Sequence, residues 1–151
     1  MIFLSMVLAT SFHGGDTSNA LHLDVIRQHY LMAVTDKSIC YSMVLELEKH
    51  GESDVHLAYL GAFQAIWAQH TFNPFEKLSS FHKGIKNIEK AVTHSPNNIE
   101  VIFIRYSVQK NCPRFLVYSD HLHEDEIFLQ ANRKNITSPT LKSMVENLLN
   151  N

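Results

Sequence analysis

Histidine is the residue type whose abundance first suggests chemistry. Ten occur in 151 residues, and imidazole is both a metal ligand and a proton-transfer group near neutral pH. The dense cluster is His121-Leu122-His123-Glu124-Asp125-Glu126. On a helix His121 and Asp125 share a face at i,i+4, and His123 and Glu126 at i,i+3, so no single face gathers three ligands. Zinc takes three or four protein ligands. A metal-dependent hydrolase built on His121 and His123 therefore requires a third ligand from a distant part of the chain. An acidic first turn that complements a helix dipole accounts for the same residues without a metal. His50 and His94 each fall in the last turn of a predicted helix, where a cationic ring is favourable. No H-E-x-x-H, C-x-x-C, Walker loop, G-x-S-x-G or G-x-G-x-x-G pattern occurs in the chain. The sequence thus argues against an enzyme and implies no cofactor.

A second set of residues has the chemistry of binding. Lys83, Lys86 and Lys90 form a polar stripe on the predicted fourth helix, and Arg105, Tyr106 and Gln109 lie one turn apart on the fifth. Such residues can hold carboxylates or peptide backbone in a groove, although a solvated lysine face has the same pattern. Most aromatic residues, Phe63, Trp67, Phe81 and Phe103 among them, recur at core-facing spacing. Two cysteines are too few for a disulfide framework. Cys40 reads as a small core residue, and Cys112 precedes Pro113 at a helix end.

The elements that position these side chains are helices. The chain is 45% hydrophobic and 19% charged, with five glycines and four prolines, about half the usual complement of turn formers. Turns must be few and elements long, which disfavours sandwiches and barrels. With 13 Lys and Arg against 15 Asp and Glu, no positive field advertises nucleic acid or an anionic membrane. Residues 2–12 (IFLSMVLATSF) are an apolar run too short to cross a bilayer as a helix and of the length of a signal-peptide core. Ser18-Asn19-Ala20 places small residues at the −3 and −1 positions of a cleavage site. Residues 1–20 are therefore expected to be a signal peptide cut after Ala20, leaving a periplasmic or extracellular product without stable membrane insertion. No Lys or Arg precedes the apolar run; the alternative is a cytoplasmic protein with a buried N-terminal helix or strand.

From residue 21 onward the apolar residues recur at helical spacing between start and stop signals. The pattern predicts a first helix over 21–35 with Val25, Ile26, His29 or Tyr30, Ala33 and Val34 on one face, and a second from the N-cap Asp36 to Gly51. A third runs from Ser53 or Asp54 to about His70, apolar enough for burial on more than one side. Asn73-Pro74-Phe75-Glu76 opens a fourth that ends near His94. Ser95-Pro96 is expected to open a fifth, broken at Asn111-Cys112-Pro113 and followed by a short helical piece over 114–117. Asp120 is expected to cap a sixth over 121–132 with Ile127, Phe128 and Ala131 inward. Ser138-Pro139 opens the seventh, which carries Leu141, Met144, Val145, Leu148 and Leu149.

Successive helix pairs recur at about 33 to 42 residues, the period of paired-helix solenoids. The segment 58–96 resembles a divergent tetratricopeptide repeat. Leu60-Gly61 is similar to the Leu-Gly of that repeat's first helix, and Gly84, Ile88 and Ala91, counted back from Pro96, fall at the small-large-small positions of its second. Gly84 follows Gly61 by 23 residues where the repeat has about 12, which implies an insertion of some three turns. The runs A-Y-L-G-A-F, L-x-x-F-x-x-G-I-x-x-I-x-x-A-V and S-P-N-N-I-E-V-I-F-I-R also resemble a group of uncharacterised bacterial exported proteins with tetratricopeptide-like helices. The resemblance implies an all-α fold of stacked antiparallel helix pairs, about seven helices in one domain over 21–151, with a concave face that holds a protein or peptide partner. The competing readings are the hydrolase on His121 and His123 and a small-molecule or lipid carrier, for which a dry pocket around Trp67 would be the sign.

Overall fold

The computed structural model describes residues 22–151. The apolar run 2–12 and the triplet 18–20 lie outside them. The described residues fold into α1 (Leu23–Ala33), α2 (Lys37–His50), α3 (Asp54–His70), α4 (Pro74–His94), α5 (Ile99–Asn111), α6 (Leu122–Asn132) and α7 (Pro139–Asn150). Short 3-10 turns occupy Arg114–Leu116 and Arg133–Asn135, and no strand occurs among the described residues. No helix there is long and apolar enough to cross a membrane.

Local chemistry fixes most of the helix starts. The Asp36 carboxylate accepts from Ser38 N at 2.9 Å and Ile39 N at 3.0 Å, satisfying two amides that the first turn of α2 would otherwise leave unpaired. Ser53, Asn73 and Ser138 each accept from one first-turn amide of α3, α4 and α7, and prolines occupy the first positions of the last two. The expected start of α5 is displaced. Ser95 closes α4, Pro96 lies in a turn in which Asn98 N donates to Ser95 O at 3.1 Å, and the Asn98 side chain is the cap. α6 also departs from expectation: His121 rather than Asp120 stands at its N-cap position, with no side-chain cap.

α3 is the hub. Eleven of its seventeen residues are buried, because α1, α2, α4 and α5 all pack on it. Its pairing with α4 is antiparallel: Asp54 meets Ser95, Gly61 meets Gly84, Gln64 meets Ser80 and Thr71 meets Glu76. At the crossing, a Cβ on Gly84 would lie 2.9 Å from Ala65 N and press on the Gly61 carbonyl, so the two backbones touch only because both positions are glycine. The residues between the two glycines make no separate element. α3 continues nine residues past Gly61 and α4 runs ten before Gly84, so both helices are lengthened around the turn at 71–73.

Each odd-numbered helix packs on the next odd one, α1 on α3, α3 on α5 and α5 on α7, as well as on its neighbours in sequence. α1 and α7 also touch, so the row curls until its first and last members meet. α1 and α5 flank α3 and reach each other through long side chains, Arg27 to Glu100 and Tyr30 to Ser107. The apolar core gathers Ile26, Tyr59, Phe63, Ile88, Ile104 and Leu129, all fully or nearly fully enclosed.

In α6 the inward face differs from the expected one. Asp125 and Leu129 are buried, while Ile127 is 54% exposed and Ala131 faces solvent. The cause is tertiary: Asp125 turns inward to meet Arg105 of α5.

Candidate functional site

Two buried polar clusters hold the helices in register. In the first, the Arg27 guanidinium makes a bidentate pair with Glu100, Nε to Oε1 at 2.8 Å and Nη2 to Oε2 at 2.7 Å, and Tyr59 donates its hydroxyl to Oε1 at 2.8 Å. The Glu100 contact, against the opposing pull of burial, holds the Arg27 pKa above its ordinary value. Burial, then the Glu100 charge, pushes the Tyr59 phenol well up, so it remains a donor. In the second, Arg105 pairs bidentately with Asp125 at 2.8 and 2.6 Å, and Gln109 donates to the same carboxylate at 3.1 Å. Arg105 also reaches Glu89 at 3.3 Å, which accepts from Tyr118 at 2.6 Å. Burial works to lower the Arg105 pKa, and the carboxylates facing it outweigh that and hold it up. Among the described residues every buried side-chain nitrogen and oxygen has a partner. Carboxylates saturated in this way serve as struts rather than as acids or bases aimed at a substrate.

The six residues expected to line a groove are not brought together. Arg105, Tyr106 and Gln109 are buried in α5, the first and third inside the second polar cluster. Lys83, Lys86 and Lys90 are exposed on α4, and Lys83 pairs with Glu48 of α2 at 2.7 Å. Helical spacing places residues on a shared face and leaves open whether that face is wet, and on α5 nearly every face is dry. His121 lies beside Glu124 at 3.2 Å and His123 is exposed. Among the described residues no group of three or more His, Cys, Asp or Glu is arranged to hold a metal ion.

One further cluster has the residue types of a hydrolytic triad. Asp54 receives the Ser95 hydroxyl at 2.6 Å and faces His94 Nδ1 at 3.0 Å. Ser95, then His94, holds its carboxyl below the usual range. The carboxylate stands between the other two, so Ser95 gives its hydrogen bond to Asp54 and no base is placed to activate it. The cluster ties the start of α3 to the end of α4. Both cysteines are free, and burial pushes the Cys40 thiol up to about 12.

What the sequence did not single out is an apolar groove of about 940 Å³ at the end of the molecule where α1, α3 and α5 finish and α4 begins. Its floor is Ala65, Ile66 and Ala68 of α3 with Phe103 of α5, and the buried Tyr30–Ser107 hydrogen bond, 2.8 Å long, lies at its base. Its walls come from α1 (Leu31, Val34), α4 (Lys77, Leu78, Phe81), α5 and the turn after it (Cys112, Phe115), and α7 (Met144, Leu148). Several of these side chains meet solvent: Leu31 is 61%, Val34 53%, Leu78 48% and Phe115 80% exposed. Trp67 is absent from the lining. Its ring instead packs against Tyr41, tilted at 5.0 Å between centroids, with Lys37 Nζ over it at 5.2 Å, so the groove is not the dry pocket expected around Trp67. No family model, curated protein or solved structure is significantly similar to this chain.

Proposed function

We propose that the chain is a non-catalytic binding module of the tetratricopeptide-like type that receives an apolar segment of a protein or peptide partner in the groove between α1, α4, α5 and α7. The observation that carries this reading is the groove itself: apolar surface on which Leu31, Val34, Leu78 and Phe115 stand exposed. Surface of that kind marks an interaction site, because water against it is costly. The paired-helix assignment is supported by the contacts between successive odd helices and by the Gly61–Gly84 crossing at the positions where a tetratricopeptide repeat needs small residues. The non-catalytic reading is supported by the buried carboxylates Glu100 and Asp125, which are engaged with their neighbours. Export, with cleavage near Ala20, fits an extracytoplasmic partner.

A carrier of a small apolar molecule is the second reading, favoured by the same lining. The groove is at the upper limit of small-ligand sites, which span about 300–1,000 Å³ and cover most of their ligand; this one leaves its rim in solvent. The experiment is displacement of the neutral dye Nile red from the full chain by an 18-residue amphipathic peptide. The wild type should bind both, and Leu78→Asp and Leu31→Asp, at positions already exposed, should fold normally and lose both. Peptide affinity unchanged in the two variants would refute the reading. A small apolar molecule retained in native mass spectra, with no peptide competition, would establish the carrier instead.

A further inference from the structure

We infer that the partner segment is an amphipathic helix bearing an acidic side chain at the edge of its apolar face, placed to pair with Lys77. This rests on the groove-binding reading above and names what the groove selects. The first argument is size. Three turns of α-helix are about 16 Å long and 10 Å wide, roughly 1,200 Å³ as a cylinder, so a 940 Å³ groove accepts such a segment with its outer face in water. An acyl chain is far thinner and would leave Leu31, Leu78 and Phe115 uncovered. A helix seated in the groove presents anchors repeated at three- and four-residue intervals to the walls that carry these three side chains.

The second argument is charge. Lys77 is the one charged side chain in the described lining, and it makes no ion pair among the described residues. It follows Glu76 in the first turn of α4, where the helix dipole disfavours a cation. The neighbouring acids do not neutralise it within the groove: Glu76 accepts from the Thr71 hydroxyl at 3.0 Å, and neither it nor Glu146 of α7 contributes to the lining. Arg114, between the lining residues Pro113 and Phe115, adds a second exposed cation without an ion pair among the described residues. Lys77 and Arg114 give the apolar walls of α4 and of the turn after α5 a positive edge, facing the polar side chains Thr140, Ser143 and Asn147 of α7, which is the complement of an apolar helix face with a negative edge.

The test uses the full chain and three fluorescein-labelled 18-residue peptides with identical leucine faces and Glu, Gln or Lys at the boundary position, read by anisotropy. The Glu peptide should bind about tenfold more tightly than the Lys peptide in 0.1 M salt, with Gln between, and the gap should close at 1 M salt. Lys77→Glu, a surface change checked for an unaltered melting temperature, should reverse the order. Equal binding of all three peptides overturns the acidic partner and leaves the groove reading standing, whereas no binding of any peptide overturns both. Other occupants also overturn the inference. Oleate bound in place of every peptide would identify a lipid; dimerisation abolished by Leu78→Asp would identify a second copy; and peptide binding seen only after removal of residues 1–20 would identify the chain's own apolar run.

Discussion

Gly61 and Gly84 show how much a single missing carbon can decide. Glycine inside a helix costs about 1 kcal/mol relative to alanine, and two such positions facing each other would be a poor choice were the helices not required to touch. A methyl group on Gly84 meets Ala65 N and the Gly61 carbonyl, both backbone atoms of α3 that no rotamer change can move aside. Overpacking costs about 1–3 kcal/mol, and because the contacts are with backbone this site lies in the upper half of that range, above the propensity gain of alanine. Gly84→Ala should therefore lower stability by about 1–2 kcal/mol, a melting temperature drop of about 3–8 °C for a domain this size. Circular dichroism melts check it, and an unchanged or raised melting temperature would mean that α3 and α4 separate at no cost.

Among the elements, α6 owes its orientation to its ion pair, with Leu129 enclosed and Leu122 and Phe128 partly buried beside it. Its inward face carries only Asp125 and Leu129 as buried residues, and the Arg105 and Asp125 side chains are 7% and 2% exposed. Removing one partner from a pair this enclosed strands the other charge, at about 3–5 kcal/mol. Glu89, 3.3 Å from Arg105, offsets part of that, so Asp125→Ala should cost about 3 kcal/mol in urea denaturation. The paired change Arg105→Met with Asp125→Leu should return within about 1 kcal/mol of wild type; a single-variant loss below about 1 kcal/mol would mean that water reaches the pair. This pair is also why α6 was misread from sequence. Hydrophobic periodicity counts a carboxylate as solvent-facing, so Ile127 and Ala131 read as inward alongside Phe128, which does pack against the core, whereas a guanidinium twenty residues away turns Asp125 inward in their place. Starts at Asp36, Ser53, Asn73 and Ser138 were legible because a cap bonds to amides two or three residues on, inside the window a reader can see. Ser95-Pro96 offered the same signature and lost to Asn98, since Ser95 was already engaged with Asp54 of α3. The groove left no trace in any one segment: Leu78 and Phe115 recur at core-facing spacing, and only the packing of the helices shows that they stand in solvent beside Leu31.

At the scale of the whole molecule, the way the helices share α3 sets how the structure opens. α3 is covered by four helices, while α6 leans on α5 and α7 alone. Local opening of α6 exposes one buried leucine and breaks one buried carboxylate cluster; opening α3 exposes Tyr59, Phe63 and the glycine crossing together, which amounts to unfolding the domain. Amide exchange under conditions where closing outpaces exchange should therefore sort into two classes. Amides over 58–68 should exchange only with the global unfolding free energy, shifting with urea at the full denaturant slope. Those of α6 and the turn after it should exchange through smaller openings with a shallow slope. Equal protection and equal slopes in α3 and α6 would mean that the domain opens as one unit. The groove has its floor on the protected α3 and its walls on the ends of α1 and α4 and along α7. A partner seated there should slow exchange in the walls far more than in the floor, because the floor is already as protected as the fold allows.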